Sequence, residues 1–122
     1  MRSLGEFKGK VILLHFWASW CEPCKLEFPA FQRLSERFKD RGFAVIAVSE
    51  DSLERTMGFI KEHPSDFPVL IDQYGGVMRS YKMTLIPSSV VIGKDGTVQG
   101  TLIGPQDYNS MEAVEYFEKL MK

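Results

Sequence analysis

The stretch from Val11 to Lys25 reads VILLHFWASWCEPCK, and it decides the fold because a nearly continuous apolar run leads directly into two cysteines. The run Val11–Trp17 is typical of a central strand that is buried on both faces. A helix is predicted to begin around Cys21, since apolar residues then recur at spacings of three and four. The stretch therefore predicts a strand, a short loop and a helix, with Cys21 and Cys24 at the start of the helix.

The rest of the 122-residue chain alternates between strand and helix patterns. Asp51 with Glu54 resembles a capping box that opens a second helix. Asp95-Gly96 between two β-rich runs is a strong hairpin signal. Further expectations are a C-cap at Gly42, a second helix through Leu53, Met57 and Ile60, and a last helix with Met111, Val114, Phe117 and Met121 on one face. The order β-α-β-α-β-α-β-β-α predicts one α/β domain over residues 1–122, a central mixed sheet flanked by helices.

Composition and charge exclude several classes of function. Fifteen basic against sixteen acidic side chains give a net charge of −1, so no broad basic face for nucleic acid or an anionic membrane is expected. No run approaches the ~18 apolar residues of a membrane span. Residues 8–18 superficially resemble a signal-peptide core, but His15 and Trp17 argue against it, and cleavage there would discard the central strand. The sequence predicts no targeting segment in this chain.

The placement of the two cysteines points to thiol chemistry. A helix N-terminus stabilises a thiolate, which is the nucleophile in disulfide exchange. A spacing of three brings both sulfurs to one side of the first turn, with Cys21 more exposed and Cys24 facing inward. A static disulfide around so small a loop would constrain the unfolded chain little, and a zinc site would need two further ligands where the chain holds only His15 and His63. Redox chemistry is favoured over both.

Four segments resemble a known family. Residues 16–25 (FWASWCEPCK) look like the active-site stretch of the thioredoxin superfamily. The CEPC interior, residues 27–29 (EFP), residues 4–10 (LGEFKGK) and residues 67–72 (FPVLID) resemble the TlpA/ResA-type thiol–disulfide oxidoreductases in particular. The resemblance implies a thioredoxin-like fold with a helix-plus-strand insertion. The family usually has a strand hairpin before the position of Ser3, which this chain either omits or has lost by trimming.

The same resemblance implies a substrate-binding loop. The superfamily keeps a cis-proline opposite its cysteine pair, and Pro87 in Ile86-Pro87-Ser88-Ser89 matches it. Base rates alone would favour an ordinary trans proline there. With Trp20 as a flat wall beside Cys21, Ile86 and Pro87 are expected to bind an extended peptide.

Glu27 is the sharpest single prediction outside the cysteines. It follows Cys24 by three residues, so it lies on nearly the same helix face. Partial burial there would raise its pKa and suit it to proton transfer with the thiols, and the ResA-like resemblance also implies an active-site glutamate. The alternative is a first-turn glutamate that complements the helix dipole.

His15 departs from the family pattern, which has aspartate or asparagine six residues before the first cysteine. One interpretation is a proton relay beneath the cysteine pair, acting with or through Glu27. The other is a neutral core histidine hydrogen-bonded to backbone.

The sequence thus predicts a thiol–disulfide oxidoreductase that needs no organic cofactor or metal. By resemblance it is a bacterial, extracytoplasmic monomer that reduces protein disulfides, such as those at the haem-binding cysteines of apocytochrome c, and is recharged by an upstream redox partner. A peroxide-reducing thioredoxin-fold enzyme and a copper-chaperone-like module are the alternatives. The redox direction is not determined by the motif.

Overall fold

The helices and strands follow the predicted order. The structure, a computed structural model, describes residues 7–122, so the Leu4-Gly5-Glu6 part of the family resemblance lies outside the described residues. Within residues 7–122 no helix is long and apolar enough to cross a membrane. The elements are β1 (Val11–Trp17), α1 (Glu22–Arg37), β2 (Phe43–Ser49), α2 (Leu53–Glu62), β3 (Val69–Ile71), α3 (Gly76–Ser80), β4 (Ser88–Ile92), β5 (Val98–Ile103) and α4 (Met111–Met121).

The five strands form one mixed sheet in the order β3-β2-β1-β4-β5, with β1 at its centre. Strands β1, β2 and β3 run parallel, whereas β4 is antiparallel to β1 and pairs with β5 in a hairpin at one edge. All of β1 is buried, as a central strand covered on both faces requires. The predicted α/β fold, with its mixed sheet and flanking helices, is confirmed.

Alternation along β1 divides the core into two clusters, one on each face of the sheet. Leu13 and Trp17 pack with the apolar residues of α1 and α4, whereas Leu14 and Phe16 belong to the cluster on the other face. His15 has the same parity as Leu13 and Trp17, because side chains alternate across a strand. Its ring accordingly packs against Phe31 of α1, with ring centroids 4.2 Å apart.

The N-terminus of α2 differs from the prediction. Ser52 is the N-cap, and its side chain accepts a hydrogen bond from the backbone N–H of Arg55. Asp51 instead accepts hydrogen bonds from the Ser52 N–H and the Ser19 hydroxyl. A capping box needs glutamate or glutamine three residues after the cap, so the predicted Asp51–Glu54 box is wrong.

Helix α2 runs through Leu53, Met57 and Ile60 as predicted, with Leu53 and Met57 exposed. In α4 the predicted face is covered at Val114 and Phe117, whereas Met111 at its start is exposed. The buried side of α2 is marked by Thr56, whose hydroxyl lies 2.6 Å from that of Ser49 at the end of β2.

Helix α1 ends earlier than the proposed C-cap at Gly42. Its C-cap is Phe38, which is buried in the core cluster of α1. Gly42 has a φ of 78° and lies in the loop before β2, where its carbonyl accepts from the N–H of Val11. The buried Phe38 side chain therefore fixes the point where the chain leaves the helix.

Two leucines of α1 test how its inner face contributes to stability. Leu34 is 0% exposed and Leu26 is 77% exposed. We expect Leu34→Ala to lower the free energy of unfolding by about 2–5 kcal/mol, because it removes buried methyl groups and leaves a cavity. Leu26→Ala, the matched control, should change it by less than about 0.5 kcal/mol. Urea denaturation of both variants measures this, and equal losses would contradict the described orientation of α1.

Candidate active site

Cys21 and Cys24 form a disulfide at the N-terminus of α1, with their Cα atoms 5.3 Å apart. Cys21 is the N-cap residue in an extended conformation, and Pro23 occupies one of the first helical positions. A proline is tolerated there because the first N–H groups of a helix have no partner inside the helix. The pair therefore lies at the positive end of the helix dipole, which stabilises a thiolate.

The two cysteines differ in exposure. Cys21 is 6% exposed and Cys24 is 0% exposed, so the order agrees with the prediction, although Cys21 is itself largely covered in the disulfide form. Trp20, directly before Cys21, is 62% exposed. Glu22 is exposed and forms an ion pair of 2.7 Å with Lys25. An attacking group from another protein would therefore reach Cys21 before Cys24.

The loop before β4 lies at the same end of the sheet as the cysteine pair. The Ile86–Pro87 peptide bond is cis, as the resemblance implied. The register Phe16↔Ser88 places Pro87 beside the end of β1 from which the chain continues to the cysteines. Ile86 is half-buried and Pro87 is buried, and the Pro87 carbonyl accepts from the backbone N–H of Gly104.

Glu27 is a buried carboxyl on the inner face of α1. Its Oε2 accepts a hydrogen bond of 2.7 Å from the backbone N–H of Gln106. Its Oε1 has no hydrogen-bond partner among the described residues and lies 3.6 Å from Nε2 of His15. Burial raises the pKa of Glu27, and the Gln106 hydrogen bond opposes part of this rise. The structure therefore places a partly desolvated carboxyl one turn after Cys24, as predicted.

His15 is fully buried between α1 and the sheet. Burial lowers its pKa to about 3, with the backbone of Ser88 acting in the opposite direction. The ring is therefore neutral near pH 7, and its contact with Glu27 is not an ion pair. Its Nδ1 lies 3.0 Å from the Ser89 hydroxyl, a side-chain partner in addition to the Ser88 backbone. The structure thus has one feature of each interpretation: the histidine is neutral, as a core residue would be, and it lies beside Glu27, as a proton relay would.

Sequence reasoning missed three residues that surround this pair. Ser89 contacts His15 from the neighbouring strand, Tyr108 contacts Ser89, and Gln106 donates to Glu27. Ser89 could have been found by extending the strand alternation into the hairpin. Gln106 and Tyr108 lie in the irregular segment before α4, where no periodicity assigns a direction to a side chain.

Sequence reasoning also did not predict that two acidic residues, Glu50 and Asp72, lie close together. Glu50 follows β2 and Asp72 follows β3, and these parallel strands end at the same edge of the sheet. Asp72 accepts hydrogen bonds from the backbone N–H groups of Val77 and Met78 at the start of α3. Burial raises the pKa of Glu50 to about 8, with the hydrogen bond and charge of Asp72 adding to the rise and Arg79 opposing it. Neither here nor elsewhere in residues 7–122 are three His, Cys, Asp or Glu side chains grouped to hold a metal ion.

Comparison with known proteins supports the thiol chemistry. The AhpC/TSA family matches residues 2–101 of the chain. The thiol-disulfide oxidoreductase ResA of Bacillus thuringiensis subsp. konkukian is 36% identical over 118 residues, which cover 96% of this chain and 67% of that protein. The chain thus spans about two thirds of the length of this relative.

Solved structures agree in fold. A Chlorobium tepidum protein described as a thiol:disulfide interchange protein DsbE superposes with a TM-score of 0.91 at 30% identity, covering 98% of this chain and 85% of that one. StoA from Bacillus subtilis superposes with a TM-score of 0.76 at 31% identity, covering 91% and 84% of the two chains. These names favour disulfide exchange over the peroxide and copper alternatives.

The Glu50–Asp72 pair should make stability depend on pH. With its folded-state pKa near 8, Glu50 binds more protons in the folded than in the unfolded state between about pH 4.5 and 8. The free energy of unfolding should therefore fall as pH rises through this window. Glu50→Gln removes this contribution, so it should decline less than the wild type between pH 5 and 8 in urea denaturation.

Glu62→Gln, at an exposed position of α2, serves as the control and should keep the wild-type decline. If Glu50→Gln and Glu62→Gln declined equally, Glu50 would not be the group that holds the proton.

Proposed function

We propose that this chain, which belongs to the AhpC/TSA family and is a thiol–disulfide oxidoreductase of the ResA type, uses Cys21 and Cys24 to reduce disulfides in other proteins. The observation that carries the proposal is the bonded pair at the start of α1, followed one turn later by the buried carboxyl of Glu27. This geometry and the family resemblance support the choice of site residues.

The exchange has two steps. In the reduced enzyme the Cys21 thiolate attacks one sulfur of the partner disulfide; the partner S–S bond breaks, and the other partner sulfur leaves as a thiolate. Cys24 then loses its proton and attacks Cys21 Sγ, which forms the Cys21–Cys24 disulfide and releases the second partner thiolate. Two electrons pass from the cysteine pair to the partner.

Glu27 serves the second step. Cys24 is buried, so its thiol needs a base within the protein rather than bulk water. The carboxylate of Glu27 accepts this proton and later returns it to solvent or to the departing thiolate. Its raised pKa suits this role, since general bases work best when their pKa lies closer to the working pH.

The partner is a protein segment bound in extended form. The exposed Trp20 and the half-buried Ile86 beside Pro87 offer apolar contact on either side of the route to Cys21. With a net charge of −1, the chain has little long-range field to select partners. Recognition therefore rests on short-range apolar contacts, and the enzyme acts as a monomer.

The setting is extracytoplasmic and bacterial, by the resemblance to the TlpA/ResA type. There the enzyme reduces protein disulfides such as those formed by the haem-binding cysteines of apocytochrome c, and an upstream thiol protein returns it to the dithiol form.

Trapping separates the roles of the two cysteines. Cys24→Ser should accumulate a mixed disulfide between Cys21 and a peptide disulfide, because the resolving thiol is lost. Cys21→Ser should accumulate none, since Cys24 is buried. Mass spectrometry under non-reducing conditions measures both. The reverse pattern would exchange the two roles, and peroxide consumption or tight Cu(I) binding without disulfide reduction would favour the alternatives.

The direction is tested by the reduction potential of the Cys21–Cys24 pair in glutathione buffers. A reductant should have a potential well below the glutathione poise, where about 30 mV corresponds to 1.4 kcal/mol of relative stability. A potential well above that poise would make the enzyme an oxidant and would overturn the proposed direction.

Glu27→Gln tests the proposed base. Resolution of the mixed disulfide should slow roughly ten- to hundredfold, at the lower end of what general bases contribute, and its pH dependence should flatten. Glu22→Gln is the matched control, since it removes an exposed carboxylate from the same first turn and should leave the resolving step nearly unchanged. Stopped-flow release of a fluorescent peptide thiol measures the rate. If the two variants behaved alike, Glu27 would have only a structural role.

A further inference from the structure

Four buried side chains on the α1 face of the sheet form a line that ends at Glu27. The Tyr108 hydroxyl lies 2.8 Å from Ser89 Oγ. Ser89 Oγ lies 3.0 Å from Nδ1 of His15, and Nε2 of His15 lies 3.6 Å from Oε1 of Glu27. All four residues are buried, so each polar hydrogen along the line needs an acceptor within the protein.

The two ends of the line fix the direction in which these hydrogens point. Ser89 Oγ is the hydrogen-bond partner of Tyr108 among the described residues, so the Tyr108 hydroxyl finds an acceptor only by donating to Ser89. Ser89 can accept from Tyr108 and still either donate to Nδ1 of His15 or accept from it, so the Glu27 end decides between the two tautomers. A proton on Nδ1, shared with Ser89 or with the backbone of Ser88, would set the lone pair of Nε2 against a carboxylate oxygen, whereas a proton on Nε2 faces Glu27 and lets Ser89 donate to Nδ1.

The protonation states agree with this direction. His15 is neutral because burial lowers its pKa to about 3, so it carries one ring proton near pH 7. Burial likewise raises the pKa of Tyr108, with Ser89 opposing and the charge of Glu27 adding to the rise, so its hydroxyl stays protonated. Among the described residues, the titratable groups that face Glu27 are His15 from β1, Tyr108 from the segment before α4 and Cys24 one turn earlier on α1.

We propose that Ser89 and Tyr108 are positioning residues that hold His15 in its Nε2–H tautomer and so give the ionised Glu27 a second buried hydrogen-bond donor. The first donor is the backbone N–H of Gln106 on Oε2. The distance of 3.6 Å between Nε2 and Oε1 shortens to hydrogen-bond length when the carboxylate forms; catalytic contacts are often long in a resting site. The inference rests on the proposed role of Glu27 as a base.

The unpartnered atoms argue for this role over that of a merely satisfied core histidine. A histidine retained only for packing would need one partner, which Ser89 already provides. Instead, Nε2 of His15 and Oε1 of Glu27 are both buried without a hydrogen-bond partner in the described chain, and they lie next to each other. A hydrogen bond donated by Nε2 to Oε1 would give each of these atoms the partner that it lacks.

Adjacent serines in β4 provide a matched test. Ser88 and Ser89 are both fully buried, but the Ser88 hydroxyl has no hydrogen-bond partner among the described residues, whereas Ser89 links Tyr108 to His15. Carbon-13 NMR of the Glu27 carboxyl in the reduced protein follows its titration directly. Ser89→Ala should raise the midpoint by about half to one pH unit, a three- to tenfold rise in proton affinity, and Ser88→Ala should leave it in place.

Nitrogen-15 shifts of His15 provide the second readout, which a packing role would not move. The wild type should show the Nε2–H tautomer, and Ser89→Ala should shift the ring toward a mixture. Tyr108→Phe removes only a hydroxyl and should raise the Glu27 midpoint in the same direction, which keeps the test valid if Ser89→Ala does not fold.

An Nδ1–H tautomer in the wild type, or a Glu27 midpoint unchanged relative to Ser88→Ala, would overturn the inference. Neither readout depends on turnover. Failure of this inference is therefore distinguishable from failure of the proposed function, which the trapping of a mixed disulfide decides.

Discussion

Helix α1 begins directly after a strand that is buried on both faces, and the rest of the structure depends on this constraint. Because β1 is buried along its whole length, it holds the start of α1 in place. Cys21 therefore lies at the positive end of the helix dipole, and Cys24 and Glu27 lie on the side that faces the sheet. The same strand carries His15 to that side by its alternation. The thiols and the groups that serve them are thus held by the core, where positions are set most firmly.

Burial gives two carboxyls raised pKa values, but their surroundings differ. Glu27 has a backbone donor and a neutral histidine beside it, whereas Glu50 has the negative charge of Asp72. The first arrangement allows a proton to leave without leaving two like charges together. The second resists ionisation, and its consequence is a pH-dependent stability. Since only Glu27 shares a helix face with Cys24, only Glu27 fits the thiol chemistry.

The residues that are exposed near the disulfide differ in character from those buried behind it. The exposed Trp20 lies beside Cys21, and the loop with Ile86 and Pro87 lies at the same end of the sheet. Apolar contacts there can select an extended chain, while the polar groups that handle protons are covered by the core. In the proposed mechanism, substrate recognition therefore uses exposed apolar groups and proton transfer uses buried polar ones.

The sequence by itself determined the order of elements, the central strand, the two cysteines at a helix start and the position of Glu27, because these depend on local periodicity and spacing. It placed the α2 cap one residue early and grouped the exposed Met111 with the buried Val114 and Phe117, because the surface on which a helix packs, and not its own pattern, decides which positions are covered. The family resemblance, and no local pattern, implied the cis bond at Pro87. Only the tertiary structure decided the Glu50–Asp72 pair and the line from Tyr108 through Ser89 and His15 to Glu27. Those contacts join residues far apart in the chain, and strand register and loop path, which no local pattern encodes, set their distances.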